Sequence, residues 1–319
     1  MAAPRVTSSK RAVYAALTGN LAIAVTKTAA AAYTGSSAML SEAVHSLVDT
    51  GNQGLVLYGM HRARRPADRQ HPFGYGMEVY FWTFLVAILI FGVGAGASAL
   101  EGVRKLAAPH PVTDPWVNYA VLGMAMVFEG ASWGVAFHEF GKVRGRRGLL
   151  DAVRRSKDPS LFTVLFEDTA AIVGLVVAMV GIALGQALDL PQLDAVASLV
   201  IAVVLAATAA FLAYECKSLL LGEAAAPAVV ERIRREAMAT PGVRRVNELL
   251  TMHLGPRDVL VTLSVDFADT LTAGAIEAAI SELEGRIKRA LPEVTRVFVE
   301  AQNWQASRRE ARAARRRRG

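Results

Sequence analysis

Between residues 12 and 215 the chain is dominated by long apolar runs, and this constrains it more than any other feature. We read six, at about 13–33, 37–60, 79–104, 116–138, 161–186 and 193–214. Each is close to the ~20 residues a helix needs to cross a bilayer. The first is too long for a signal peptide, and the SSAM that follows it belongs to the next run. The expected fold is therefore an α-helical membrane protein with six transmembrane helices.

Charge sets the expected orientation. Lys and Arg number 35 against 28 Asp and Glu, a net charge of +7. The last fifteen residues hold seven Arg and one Glu, so a net +6 lies in the tail. Nucleic-acid binding is not implied by so local an excess. Arg62, Arg64, Arg65 and Arg69 follow the second run, and Lys142, Arg144, Arg146, Arg147, Arg154, Arg155 and Lys157 follow the fourth. The opposite loops offer only Lys105, beside Arg104. The positive-inside bias places both termini and both basic loops in the cytoplasm. One cysteine, Cys216, excludes an intrachain disulfide framework and a cysteine-rich zinc module.

Beyond Lys217 the pattern changes. Residues 227–239 fit a short amphipathic helix. Val259, Val261, Leu263, Val265 and Phe267 alternate as a strand does. Ile276, Ile280, Leu283, Ile287 and Leu291 recur at helical spacing, and Val297 and Val299 alternate again. The order helix, strand, strand, helix, strand describes a small α+β domain. The expected division is 1–216 for transport, 217–304 for a cytoplasmic domain and 305–319 for an Arg-rich tail.

The informative polar residues lie inside the apolar runs. In the second run, Glu42, His45, Asp49, Asn52 and Gln53 fall at offsets −3, 0, +4, +7 and +8 from the histidine, on one helical face. An ionised Asp in mid-membrane costs ~2.5–3.5 kcal/mol and needs a partner. Imidazole and carboxylate one turn apart make half of a tetrahedral zinc-type site. The plainer reading is a polar face that holds helices together. In the fifth run Glu167 and Asp168 stand side by side. Adjacent helical residues diverge by ~100°, so only one can point straight at a shared centre. A membrane-edge position is the plainer reading of that pair. Glu129 and Trp133 mark the fourth run, with His138 and Glu139 near its cytoplasmic end. For Glu129, helix packing, proton relay and support of a ligand all remain open. Lys27 and Glu101 read as ion-pair or interfacial residues. Gly92 and Gly96 have the GxxxG spacing of close helix packing.

These residues together resemble the cation diffusion facilitators, a family of divalent-metal/proton antiporters. His45-Ser-Leu-Val-Asp49 is similar to the family's span-two metal motif, and Asp68, His71, Pro72, Phe73, Gly74 and Gly76 to its following loop. Asp168 is similar to the second acid of the span-five motif. Leu221-Gly222-Glu223 leads into a domain like the family's ferredoxin-like one. The likeness implies a metal site of His45, Asp49 and Asp168, with Glu167 or water as fourth donor, because Val164 stands at the motif's first position. It implies a weakened secondary site at Asp68 and His71, where Tyr75 replaces a second histidine. Glu42, Asn52 and Glu129 become candidates for proton relay or ligand support. Glu300 and Gln302 stand where metal-binding members have His and Asp, and His253 reads as structural.

The implied function is efflux of a divalent cation, zinc foremost, by proton-coupled alternating access. Co²⁺, Fe²⁺, Ni²⁺ and Mn²⁺ stay open, because a site with one histidine is harder. The expected partners are the metal ion, protons, the bilayer and a second copy of the chain, with no nucleic acid and no resident cofactor. The Ala/Arg-rich composition points to a bacterial plasma membrane. The alternative is a non-transporting membrane regulator or scaffold of metal homeostasis. A membrane metallohydrolase would want an HExxH base, and none is present.

Overall fold

The computed structural model describes residues 7–144, 148, 157, 159–309 and 313. The basic side chains of the 142–157 loop other than Lys157, those of the N-terminal flank, and the last arginines of the tail lie outside the described residues. The chain divides into two compact units, one of residues 1–62 and 78–217, the other of residues 63–77 and 218–319.

Among the described residues the first unit contains six long helices. They are α1 (Thr7–Thr34), α2 (Ser37–Arg62), α3 (Glu78–Ala107), α4 (Pro115–Arg144), α5 (Pro159–Ala187) and α6 (Gln192–Leu220). Helix α3 contains a π-helical stretch, Ile90–Ala95. The breaks follow from local chemistry. Gly35 takes φ +68° between α1 and α2. Pro115 and Pro159 open α4 and α5, where a missing N–H costs nothing.

Among the described residues, α3 to α6 are long and apolar enough to cross a membrane. Helices α1 and α2 miss that criterion. In α2 the reason is plain, since Glu42, His45, Asp49 and Asn52 interrupt the apolar sequence and turn inward instead. Large apolar side chains stand outward on the other helices, among them Val103, Val127, Val135 and Val203. A shell of this kind suits lipid, and the chain is a multi-pass membrane protein.

Helix α2 packs against α1, α3 and α5, so its polar face is enclosed. The glycine expectation needs correction. A Cβ on Gly92 would meet nothing within 4 Å, and one on Gly96 only Phe91 O at 3.9 Å. Gly92 lies within the π-helical stretch and Gly96 directly after it. The close approaches fall elsewhere. Gly102 of α3 lies against Leu199 of α6, and Gly181 of α5 against Ala197 of α6, where a Cβ would stand 2.8 and 2.4 Å away.

The second unit begins with α7 (Pro227–Met238) and continues through β1 (Val243–Gly255), β2 (Asp258–Phe267), α8 (Ala273–Ala290) and β3 (Val294–Ala301). Pro227 sits at the first helical position of α7. Thr272 caps α8 by accepting a hydrogen bond from the amide of Ala275. The sheet order is β1-β2-β3, with β1 antiparallel and β3 parallel to β2. Val259, Val261, Leu263, Val265 and Phe267 form the buried face of β2, over Ile233 of α7 and Leu283 and Ile287 of α8. The alternation in the sequence located β2 correctly. It did not locate β1, whose register slips at three places and whose burial does not alternate, Val246 being followed by a buried run at His253–Gly255.

Candidate functional site

Four helices bring the intramembrane polar residues into one region. Helix α2 contributes Glu42, His45, Asp49 and Asn52, all buried. Helix α5 contributes Glu167 and Asp168, helix α4 Glu129, and helix α1 Lys27, and these are buried too. The membrane-edge reading of Glu167 and Asp168 does not fit, since they are only 5% and 7% exposed.

The divergence expected of adjacent residues is seen directly. Glu167 faces α2, where Asn52 Nδ2 donates to its Oε1 at 3.0 Å. Asp168 faces α4, where Ser132 Oγ donates to its Oδ2 at 2.8 Å. His45 Nε2 stands 3.4 Å from Asp49 Oδ2. That distance lacks hydrogen-bond alignment, and both ring nitrogens of His45 are buried without a partner. Asp49 Oδ1, Asn52 Oδ1 and Glu42 Oε1 are likewise buried and unpartnered. Such orphans are rare in folded proteins, because each forfeits its hydration. Five on one helix face make a nitrogen-and-oxygen donor set suited to a cation. Among the described residues, however, no three His, Cys, Asp or Glu side chains stand close enough together to hold a metal ion. The donors share a region and are not gathered around a point.

Three features escaped the sequence reading. Lys27 Nζ donates to Glu42 Oε2 at 3.1 Å and to Ser46 Oγ at 2.8 Å, so the expected ion pair has a specific partner within the polar face. Gly174 of α5 makes room for that carboxylate, since a Cβ there would stand 2.2 Å from Glu42 Oε1. The signal for Gly174 was weak, being one glycine in an apolar run. Ser132 was missed for a similar reason, since a serine in an apolar helix carries no mark of its partner.

The loop residues Asp68 and His71 are exposed. Asp68 accepts hydrogen bonds from Tyr75 Oη at 2.7 Å and from the amides of Gln70 and His71 at 2.9 and 2.7 Å. The Tyr75 hydroxyl and the His71 amide hold its carboxyl below the usual range. Its lone pairs are thus spent on shaping the loop, and His71 Nδ1 lies 3.6 Å away. In the second unit His253 is buried, with Nδ1 3.3 Å from Gly255 O at the end of β1. Gln302 binds Ser264 and Asn247. Both serve the sheet.

A multi-pass helical protein that encloses acids and a histidine among its spans has the make-up of a membrane carrier of cations. Comparison with known proteins identifies the family. The cation efflux transmembrane domain matches residues 13–221, and the chain belongs to that family. A protein named proton-coupled zinc antiporter SLC30A9, mitochondrial, from Xenopus laevis is 35% identical over 237 residues, which is 74% of this chain and 42% of that protein. Metal tolerance protein C4 of Arabidopsis thaliana is 29% identical over 261 residues, covering 81% of this chain and 57% of that protein. The cation-efflux pump FieF of Escherichia coli is 25% identical over 260 residues, covering 82% and 81%. The chain thus spans less than half the length of the zinc antiporter it matches.

Proposed function

We propose that this protein exports a divalent metal cation, zinc foremost, in exchange for protons. The carrying observation is the set of buried, unpartnered donor atoms on α2, which faces the acids of α5 in a chain of the cation efflux family. The names of the zinc antiporters support the choice of zinc and of protons. In this reading all six long helices span the membrane, with both termini cytoplasmic. Residues 1–216 carry transport, 217–304 dimerise, and 305–319 are a basic tail. Composition favours a bacterial plasma membrane. The metal is cargo, and no cofactor is required.

His45 and Asp49 supply the first nitrogen and oxygen. Asp168 and Glu167 complete the set on leaving Ser132 and Asn52, which requires α2 and α5 to draw together. An imidazole must shed its proton from the ligating nitrogen, so metal and proton compete for one site. Rocking of the helices exposes that site to each side in turn. Glu42, Asn52 and Glu129 steady the ligands or pass protons. Asp68 and His71 make at most a weak loop site.

The test is metal-dependent proton flux in proteoliposomes, comparing the wild type with Asp49→Ala. Flux is expected with zinc and is expected to fall at least ~10-fold in the variant. Equal flux in both would remove Asp49 from the site. The second reading, a regulator or scaffold, is favoured by the absence of three gathered ligands among the described residues. Failure of every divalent ion to drive flux would favour it.

A further inference from the structure

Residues 63–77, which join α2 to α3, fold into the same compact unit as the C-terminal domain. With the β1–β2 turn they line an open pocket of about 340 Å³. This lies within the ~300–1,000 Å³ of small-ligand pockets. Its charged lining is Arg64, Arg65, Arg257, Arg296 and Asp258. Four guanidiniums face one carboxylate in a single concavity.

The frame around them is fixed. Gly76 passes so close to β1 that a Cβ would stand 2.3 Å from Leu254 O. Gly74 takes φ +86°. Asp68 ties the loop through two backbone amides and Tyr75. The guanidinium of Arg65 lies 5.3 Å from the centre of the Tyr75 ring, and that of Arg296 5.2 Å from the Phe73 ring. Arg296 also donates to Phe73 O at 3.1 Å. The single carboxylate is already engaged, since Asp258 accepts from Thr295 and lies 3.8 Å from Arg296. Arg64 and Arg257 are exposed and hold no ion pair or hydrogen bond among the described residues.

So many cations in one hollow repel one another unless an anion joins them. The number of N–H donors exceeds what one carboxylate accepts. It suits a phosphate group, whose several oxygens match guanidinium forks. Helix α2 ends at Arg62 and α3 begins at Glu78, and these two residues are hydrogen-bonded to each other at 2.8 and 3.2 Å. The segment is thereby held by its ends to two helices of a membrane protein. Both helices belong to the membrane unit, so an anionic phospholipid headgroup is one source of such a phosphate and soluble phosphate the other. We propose that the pocket binds a phosphate group, from an anionic phospholipid headgroup or from soluble phosphate, with Arg64 and Arg257 as its principal donors.

The test uses the full-length protein in detergent at fixed ionic strength. Thermal unfolding is followed against dioctanoyl phosphatidic acid, inorganic phosphate and, as control, dioctanoyl phosphatidylcholine. A saturable rise in Tm is expected with phosphatidic acid and none with phosphatidylcholine. The apparent affinity should weaken ~10-fold or more in the double variant Arg64→Gln, Arg257→Gln. Both side chains are exposed and unpaired, so the unliganded variant is expected to melt with the wild type. Should it melt lower, retention of phosphatidic acid by native mass spectrometry gives a second reading. There Arg257→Lys, which keeps the charge and loses the fork, should retain less than the wild type. Saturation by phosphatidic acid alone assigns the headgroup, and saturation by inorganic phosphate with the same arginine dependence assigns the soluble anion. No saturable response to either, or an equal response in the double variant, overturns the proposal. Neither readout involves metal or flux, so the result stands apart from the transport reading.

Discussion

Lys27 and Glu42 are each 0% exposed, and their pairing sets the stakes of single substitutions in this protein. A buried ion pair adds little net stability, yet breaking it leaves one charge stranded. Lys27→Met should therefore destabilise the protein by about 3–5 kcal/mol. The double variant Lys27→Met, Glu42→Gln should recover much of the loss, which thermal unfolding of both variants beside the wild type would show. Recovery of nothing would mean that Lys27 acts through its packing instead. Lys27 was legible as an ion-pair residue, because a lone cation in an apolar run has to find an anion. Its partner was not, because Glu42 lies on the same stripe as His45 and reads as part of the site. The acids of α5 allow a sharper test of ligation. If Glu167 joins the metal, Glu167→Gln should weaken zinc binding nearly as much as Asp168→Asn in a calorimetric titration. Unchanged affinity in Glu167→Gln would give the fourth position to water or to another helix.

Elements were legible where periodicity ran long. The six apolar runs and the six helices agree to within a few residues at most ends, because burial and lipid both reward an unbroken apolar helix. What joins the helices was not legible. Asp194, near the start of α6, accepts from the Ser36 and Ser37 hydroxyls and from the Ser37 amide at 2.6 to 3.0 Å. Lys105 of α3 donates to the same carboxylate at 2.7 Å and to Gly35 O at 2.7 Å. One acid thus satisfies an orphan amide at the N-terminus of α2, where negative charge is favoured, and fastens α2, α3 and α6 together. In the sequence Lys105 counted merely as a loop cation. Its burial depends on a partner 89 positions away. Asp194→Asn should cost about 3–5 kcal/mol, since it strands Lys105, whereas Ser36→Ala should cost about 1 kcal/mol. Thermal unfolding of both in one detergent would compare them. Equal effects would show that the hydroxyl contacts, and not the ion pair, carry the junction.

On the scale of the molecule, the two units are linked by three passages of the chain, since residues 63–77 leave the helical unit and return to it. Contiguous division at residue 216 is the natural reading of composition, and composition cannot reveal that the inserted loop 63–77 folds with a domain that begins at residue 218. The contact that decides it involves backbone alone: Gly76 against Leu254 O and Gly255 Cα. A side chain at 76 cannot be relieved by rotating a neighbour's rotamer, because the opposing atoms belong to the β1–β2 end of the sheet. Gly76→Ala should therefore cost about 1–3 kcal/mol and loosen the segment from the turn. Gly51→Ala is the matched control, since a Cβ there meets nothing within 4 Å. Limited trypsin digestion should cut faster after Arg64, Arg65 and Arg69 in Gly76→Ala than in the wild type or in Gly51→Ala. Unchanged cleavage would mean that the segment holds its shape without the turn, through the Asp68–Tyr75 bond and the contact of Arg296 with Phe73. Faster cleavage together with a weakened response to phosphatidic acid would tie both effects to the same framework, because the arginines of the pocket are aligned only while Gly76 lies against β1.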